Sequence, residues 1–315
     1  MMNTILHNTI HVLLAVLLPP LLLGVINRTK AIFAGRNGQP LLQPYYDLIK
    51  LMQKGSVFST TTTWVFRAGP VVGLVTAAIA VLFVPLVNNP LEEGQFVSAA
   101  PISFKGDMIL FAYLLGLSRF FTTSAALDTG SPFEGMGAAR EVTFACLAEP
   151  AMFLGLLVLA RLSGSLQMSG MLGGPMASYW TTSGAALALV LLSWFIVLLV
   201  ENCRVPFDDP NTHLELTMIH EVMVLDHSGP AFGMILYGAA IKLFIFSALI
   251  VRLAFPFDFG SEWIDWPIFV LAMLVVAAII GIVESTTARL KMTHIPVLLV
   301  ASCLLSGFGI ILLVR

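Results

Sequence analysis

Thirty residues, ENCRVPFDDPNTHLELTMIHEVMVLDHSGP from Glu201 to Pro230, hold the densest set of groups able to carry protons or charge. Glu201, Asp208, Asp209, Glu215, Glu221 and Asp226 are six of the chain's 18 acids, and His213, His220 and His227 are three of its six histidines. Arg204 is the one Lys or Arg in the stretch. Crowded carboxylates repel, so their protonation equilibria spread and couple. A unit charge arriving about 4 Å away, at an effective dielectric of about 20, shifts one of them by about 4 kcal/mol. That is enough to drive proton uptake or release across a few pH units. Pro206, Phe207 and Pro210 stiffen the stretch, and Pro210 before Asn211 suits a helix start. Leu214, Met218 and Val222, four apart, would pack that helix on its neighbours and turn the acidic side toward a cavity or a partner. Asp208 and Glu215 are the leading candidates for coupling, and Glu201 for passing protons inward.

Metal chemistry is not expected from the histidines. Spaced by seven, they share a helix face, but successive ones lie about 10.5 Å apart along the axis. Zinc needs its ligands about 2 Å from one centre. Cys146, Cys203 and Cys303 are scattered and suggest neither a disulfide framework nor a metal site. The chain has no phosphate-binding glycine loop and no nucleophile motif, and no cofactor of its own is expected.

The elements that position these groups are membrane spans. The chain is 58% hydrophobic and 11% charged, against about 25% charged in soluble domains, and its mean hydropathy is +0.92. So little charge cannot clothe a soluble protein of 315 residues. The fold class is therefore all-α, a polytopic membrane protein in the lipid bilayer. A net charge of −2 without a basic tail offers nothing to nucleic acid. No basic n-region precedes the first apolar run, so no cleaved signal peptide is expected. Runs of about 20 apolar residues occur at 5–26, 66–88, 107–127, 141–163, 183–202, 231–254, 266–286 and 295–314. They form one domain over 1–315, with polar connections at 27–65 and 201–230.

Alternate connections differ in basic residues. Arg28, Lys30, Arg36, Lys50, Lys54, Arg67, Arg140, Arg204, Arg289 and Lys291 fall on one side, and Lys105, Arg161, Arg252 and Arg315 on the other. The richer side is expected to be cytoplasmic, which puts both termini outside and the acidic stretch inside. In the first connection, Leu41, Tyr45, Leu48 and Met52 make one face of an amphipathic helix with Asp47, Lys50 and Lys54 off it. Such a helix lies in the headgroup layer or carries a partner protein. The connection at 89–106 is featureless, and Trp263 and Trp266 read as interface anchors.

Ionisable residues within spans carry function by default, because burying them is costly. Arg119, Glu149 and Lys242 qualify, with Glu141, Glu201 and Glu284 near span ends. Each has a structural alternative, an ion pair that locks helices. Arg119 suits that alternative, since a guanidinium does not release its proton. Glu149 and Lys242 can change protonation when desolvated and suit a relay. Asp128-Thr-Gly-Ser-Pro132 reads as a turn, after which Arg140 and Glu141 open the fourth span. Glu149 follows Arg140 by nine residues, about 13 Å of helical rise.

These residues resemble a known family, the membrane anchor of energy-converting hydrogenases of the formate-hydrogenlyase subunit 4 and hydrogenase-4 component C type, related to the quinone-site membrane subunit of respiratory complex I. The resemblance spans nearly the whole chain. QPYYDLIKL (43–51) matches the family's Q-x-x-x-D-x-x-K-L stretch. Arg140 and Glu149 match an Arg and an intramembrane Glu on one helix. Glu201, Arg204, Pro206-Phe207-Asp208 and Glu215-Leu216 match its acidic loop. Leu127-Asp-Thr-Gly-Ser-Pro-Phe133, Lys242 and Glu284-x-x-x-Ala-Arg289 are similar to the hydrogenase branch.

The resemblance implies a bacterial or archaeal cytoplasmic membrane complex. Its cytoplasmic arm would have hydrogenase- or dehydrogenase-like large and small subunits carrying nickel–iron and iron–sulfur centres, and its membrane partners would be antiporter-like. This subunit, non-catalytic alone, would couple electron transfer to proton or sodium translocation. Glu141, Glu149, Glu201, Asp208, Glu215, Lys242 and Glu284 are the implied proton pathway. Arg36, Asp47, Lys50, Asp128, Arg140, Arg204, Asp209, His213 and Glu221 are the implied arm contacts. The sequence departs from the family where Asn211 and His213 replace two carboxylates, and where IHEVMVLDHSGP replaces the commoner E-G-P-L-x-E-Y-S-G. That departure points to a divergent complex whose arm need not make hydrogen. Two alternatives stay open, a quinone-site subunit of a complex I-like dehydrogenase and a stand-alone ion transporter. The transporter is disfavoured by the lack of an internal repeat.

Overall fold

The computed structural model describes residues 4–90, 96–98, 100–173, 176–208, 218–256 and 262–314. Among these residues, eight helices are long and apolar enough to cross a membrane, as the hydropathy pattern predicts. They are built on α1 (Thr4–Phe33), α3 (Trp64–Ala80), α4 (Asp107–Asp128), α5 (Pro132–Ser163), α7 (Met176–Glu201), α8 (Gly229–Ala254), α9 (Glu262–Thr286) and α10 (Ile295–Val314), the second span running on to Phe83 and the last beginning at Met292. The shorter α2 (Gln43–Met52) lies in the first long connection and α6 (Met168–Gly173) before α7. The chain is thus a multi-pass membrane protein of the all-α class, its spans all helical. The connection expected to be featureless holds a small antiparallel ladder, β1 (Asn88–Pro90) with β2 (Phe96–Ser98).

Within a bilayer every backbone polar group must be satisfied inside the chain, which helices do unaided. Outward side chains such as Leu13, Leu17, Leu304, Phe308 and Ile311 are exposed, as lipid requires. Helices then associate through close packing and a few polar contacts. α3 packs against α4 and α8, α10 against α5 and α7, and α1 against α9. Gly155 of α5 faces the indole of Trp194 on α7 so closely that a Cβ there would collide with it. Between α7 and α10, Ser193 Oγ donates to the Ser302 carbonyl at 2.8 Å and lies 2.8 Å from Ser306 Oγ. Such contacts contribute about 0.6 kcal/mol each in a membrane.

Several boundaries differ from the sequence reading. α1 runs to Phe33, so the first connection begins later than residue 27. α5 starts at Pro132, directly after the Thr129–Ser131 turn, which puts Arg140 and Glu141 inside the helix. Its start is set by Pro at the first helical position, where the missing N–H costs nothing. α7 begins before residue 183 and is broken at Ser183, with φ −136° and ψ 31°. Trp263 is exposed, but Trp266 is buried, its ring 5.0 Å from that of His7, so it anchors α9 to α1.

In α2, Tyr45 and Leu48 are half-buried, and the Tyr45 hydroxyl donates to the Leu17 carbonyl of α1. Leu41 and Met52, expected on that same face, remain exposed, as do Tyr46 and Ile49. α2 therefore docks on its own spans by one edge and leaves apolar residues outward.

The helix expected from Pro210 lies mostly outside the described residues. From residue 218 the chain forms a bend and a short 3₁₀ turn, Glu221–Val224, so His220 and His227 do not share an α-helical face. Met218 and Val222 are buried as the spacing suggested. Gly137 of α5 makes room for them, since a Cβ there would come within 2.8 Å of the Ile219 carbonyl oxygen.

Candidate functional site

Four spans bring their ionisable side chains to one guanidinium. Arg119 projects from α4. Its Nη2 donates to both carboxylate oxygens of Glu201 at 2.6 Å, and its Nη1 to Glu149. Its Nε lies 3.5 Å from Glu141, an ion-pair contact without hydrogen-bond alignment. Lys242 Nζ of α8 reaches Glu201 at 2.7 Å. Glu141 and Glu149 share a face of α5, two helical turns apart, and Glu201 is the last residue of α7. Thus Glu141, Glu149, Glu201 and Lys242, predicted separately, meet around Arg119. The lock predicted for Arg119 has specific partners, and it includes the relay candidates. Three carboxylates face two cations, so the cluster carries one excess negative charge if all are ionised.

Burial makes this charge pattern consequential. The Arg119 side chain is 10% exposed and that of Glu201 5%, whereas that of Glu149 is 41% exposed. Buried ions cost several kcal/mol each unless paired, so Glu201 depends on both its cations. A cavity of about 90 Å³ opens beside them, with Arg119, Glu141, Glu201 and Lys242 on its wall together with Cys203, His220 and apolar residues of α3 and α8. Most of its wall is apolar, but these charged and polar groups face it, and it is roomy enough for several waters.

A second set of ion pairs adjoins the first. After α7 the chain turns through Cys203 at φ 50°, with Arg204 N–H bonding the Leu199 carbonyl at 2.8 Å. This is a Schellman-type ending, a position that usually takes glycine. It points Arg204 at Glu284 of α9, 3.5 Å away, and Lys30 of α1 holds the other oxygen of Glu284 at 2.8 Å. Asp208 is buried. Its carboxylate accepts from the backbone N–H groups of Ile219 and His220 at 3.0 and 3.3 Å and pairs with Arg289 at 2.8 Å. Asp208 thereby closes the two described ends of the acidic stretch onto each other.

The remaining candidates are dispersed. Asp209, His213 and Glu215 lie outside the described residues. Asp128 accepts from Thr63 N–H at 2.6 Å, Thr63 Oγ1 at 2.9 Å and Phe66 N–H at 3.3 Å, and so caps α3. Arg140 donates to the Met218 carbonyl at 2.9 Å and ties α5 to the acidic stretch. Arg36, Asp47 and Lys50 are exposed, with Asp47 accepting from Gln43 at 2.8 Å. Glu221 is half-buried beside a larger cavity.

Burial holds His220 below the usual histidine range, with Lys242 and Arg119 acting the same way and Glu141 and Asp208 opposing them. Burial also lowers His227 to about 4. Its ring stacks on Phe66 at 3.9 Å and 9°. The Cys203 thiol is pushed well up by burial, then by Glu141 and Asp208. Lys30 and Arg289 complete ion pairs that residue type alone could not assign, because their partners are remote in sequence.

With this geometry in view, the chain's relatives take on meaning. The family described as NADH dehydrogenase matches residues 7–315. Hydrogenase-4 component C of Escherichia coli is 31% identical over 87% of this chain and 84% of its own length. Formate hydrogenlyase subunit 4 of the same organism is 30% identical over 93% of each. A subunit of the NADH-quinone oxidoreductase of Anaplasma phagocytophilum is 27% identical over 68% of this chain and 63% of its own length. A chain of the membrane-bound sulfane sulfur reductase, an archaeal respiratory membrane complex, superposes with a TM-score of 0.80 over 98% of this chain and 99% of that one, at 19% identity. That last likeness speaks to the fold.

Proposed function

Because the chain belongs to the NADH dehydrogenase family, we propose that it is the membrane subunit of a multisubunit redox complex, which docks a cytoplasmic redox arm and couples electron transfer to proton or sodium movement. One observation carries this reading, the Arg119 cluster. Three carboxylates share a fixed guanidinium and a lysine at the point where the acidic stretch joins α7. A proton or charge change at any member alters its neighbours by kcal/mol. The Asp208–Arg289 and Glu284–Arg204–Lys30 pairs extend the same network along the adjoining segments.

In this reading the 201–230 side is cytoplasmic and both termini lie outside, which the ten-to-four basic asymmetry supports. Asp208 and Arg140 shape the surface the arm meets. Redox centres of the nickel–iron and iron–sulfur kind sit on the arm, and antiporter-like subunits flank this chain. The test is purification from native membranes in mild detergent, followed by electron transfer and ion movement in vesicles. A redox arm that co-purifies, with ion movement lost in Glu201→Gln vesicles, supports the role. A chain that isolates alone and transports ions without a redox partner refutes it.

A second reading, a quinone-type ligand, has its own observation. Next to the cluster lies a cavity of about 320 Å³, within the size range of small-molecule sites. Leu23, Val224, Phe232, Leu236 and Leu243 give it an apolar wall, and Arg204, Asp208 and His220 a polar one. Narrowing it with Leu236→Trp would reduce quinone-linked turnover under this reading and leave turnover intact otherwise.

A further inference from the structure

We propose that Glu141, Cys203 and His220 form a binding site for a divalent transition metal of the zinc class. A carboxylate oxygen of Glu141, the sulfur of Cys203 and a ring nitrogen of His220 all lie within 4.8 Å of one another. They come from three separate places: the third turn of α5, the left-handed residue that ends α7, and the bend before the Glu221–Val224 turn. All three line the same cavity of about 90 Å³. None of the three is needed to close the ion pairs of Glu201, which Arg119 and Lys242 already satisfy.

The donor set selects the metal. One sulfur, one imidazole nitrogen and one carboxylate oxygen suit zinc far better than calcium or magnesium, which take oxygen alone. Three protein ligands facing this cavity leave the fourth tetrahedral position open to a water, the arrangement of accessible zinc sites. Bonds of about 2.0–2.3 Å put tetrahedral ligand atoms about 3.5 Å apart, so atoms that lie within 4.8 Å of one another would close in by at most about 1.3 Å on binding. The backbone of His220 is held by Asp208, which accepts its N–H at 3.3 Å. Outer contacts of this sort steady a ligand residue.

The local charge is compatible. Glu141, Glu149 and Glu201 outnumber Arg119 and Lys242 by one, and Asp208 beyond them is matched by Arg289. Binding converts the Cys203 thiol to a metal-bound thiolate and releases its proton to water. The dication and the thiolate together add one positive charge, which brings the five-residue cluster to neutrality.

The test uses the intact complex, stripped with a chelator and titrated with cobalt(II) as a spectroscopic substitute for zinc. The wild type and a Cys146→Ser control should each take up one cobalt per chain with a thiolate-to-cobalt charge-transfer band. Cys203→Ser should lose both the band and the equivalent. His220→Gln should weaken binding by more than the roughly 10- to 100-fold that outer-shell changes cause. Difference spectra between wild type and Cys203→Ser remove the contribution of cysteines in other subunits. If Cys203→Ser does not assemble, His220→Gln and Glu141→Gln decide the matter. Cobalt uptake unchanged in these variants, or no thiolate band in the wild type, overturns the site. The readout is independent of ion coupling, so its failure leaves the proposed function standing.

Discussion

Arg119 Nη2 sits 2.6 Å from both carboxylate oxygens of Glu201, although 82 residues separate the two in sequence. This pair joins α4 to the end of α7, and Lys242 of α8 completes it. The same guanidinium holds Glu149 of α5. The cluster is thus both the tie between four spans and the place where their protons can interact.

Arg119 is expected to tolerate neither loss nor shortening. Arg119→Met leaves three carboxylates with one lysine, and breaking a buried pair costs about 3–5 kcal/mol. Arg119→Lys keeps the charge but loses the fork that reaches two acids at once. Both variants should lower the amount of assembled complex in membranes, the Met variant more. Equal amounts of both variants and wild type would show that the cluster does not hold the spans together.

Glu149→Gln should assemble, because its side chain is 41% exposed and an amide oxygen still accepts from Arg119. Ion movement per electron in sealed vesicles should fall, since the variant cannot bind and release a proton. Full coupled activity in an assembled Glu149→Gln complex would make this residue a structural lock only.

Asp208→Asn should weaken retention of the arm while leaving the chain inserted. Its side-chain carbonyl can still accept from Ile219 and His220, but the charge facing Arg289 is gone. The cost expected is about 1–3 kcal/mol, read as looser attachment of the redox subunits during purification. Arm retention and coupled activity both at wild-type levels in the Asp208→Asn/Glu215→Gln double variant would remove the acidic stretch from the mechanism.

His227 should contribute an acid-sensitive term to stability. Its value is lowered from 6.5 to about 4 by burial, so an unfolded chain binds this proton before the folded one does. The contribution is constant above about 6.5 and is lost as pH falls from there toward about 4. His227→Phe preserves the stack on Phe66 and has no proton to gain. Thermal stability of the detergent-solubilised complex should therefore fall less between pH 6.5 and 4 in this variant. An identical pH profile would assign the acid sensitivity elsewhere.

Sidedness can be measured directly. Single cysteines at Asn37, Thr212 and Gln95 should react with an impermeant thiol reagent in intact cells only at Gln95. Labelling at Thr212 from outside would reverse the orientation.

The sequence by itself determined the architecture of eight spans, because apolar length is a local property and a bilayer demands it of each segment separately. It also singled out Arg119, Glu141, Glu149, Glu201 and Lys242, since charge inside an apolar run stands out whatever the fold. Only the tertiary structure decided which of them meet. In water, an apolar stripe tells which face of a helix points inward; in lipid both faces are apolar, so no periodicity in α4, α5, α7 or α8 says that these five side chains converge. For the same reason the sequence left Lys30 and Arg289 without partners and gave no sign that Glu141 and Cys203, 62 positions apart, lie beside His220. It also expected His220 and His227 to share a helix face, whereas from residue 218 the chain bends and forms a 3₁₀ turn, with Asp208 accepting from the backbone N–H groups of Ile219 and His220. That contact belongs to the folded molecule and has no local signature.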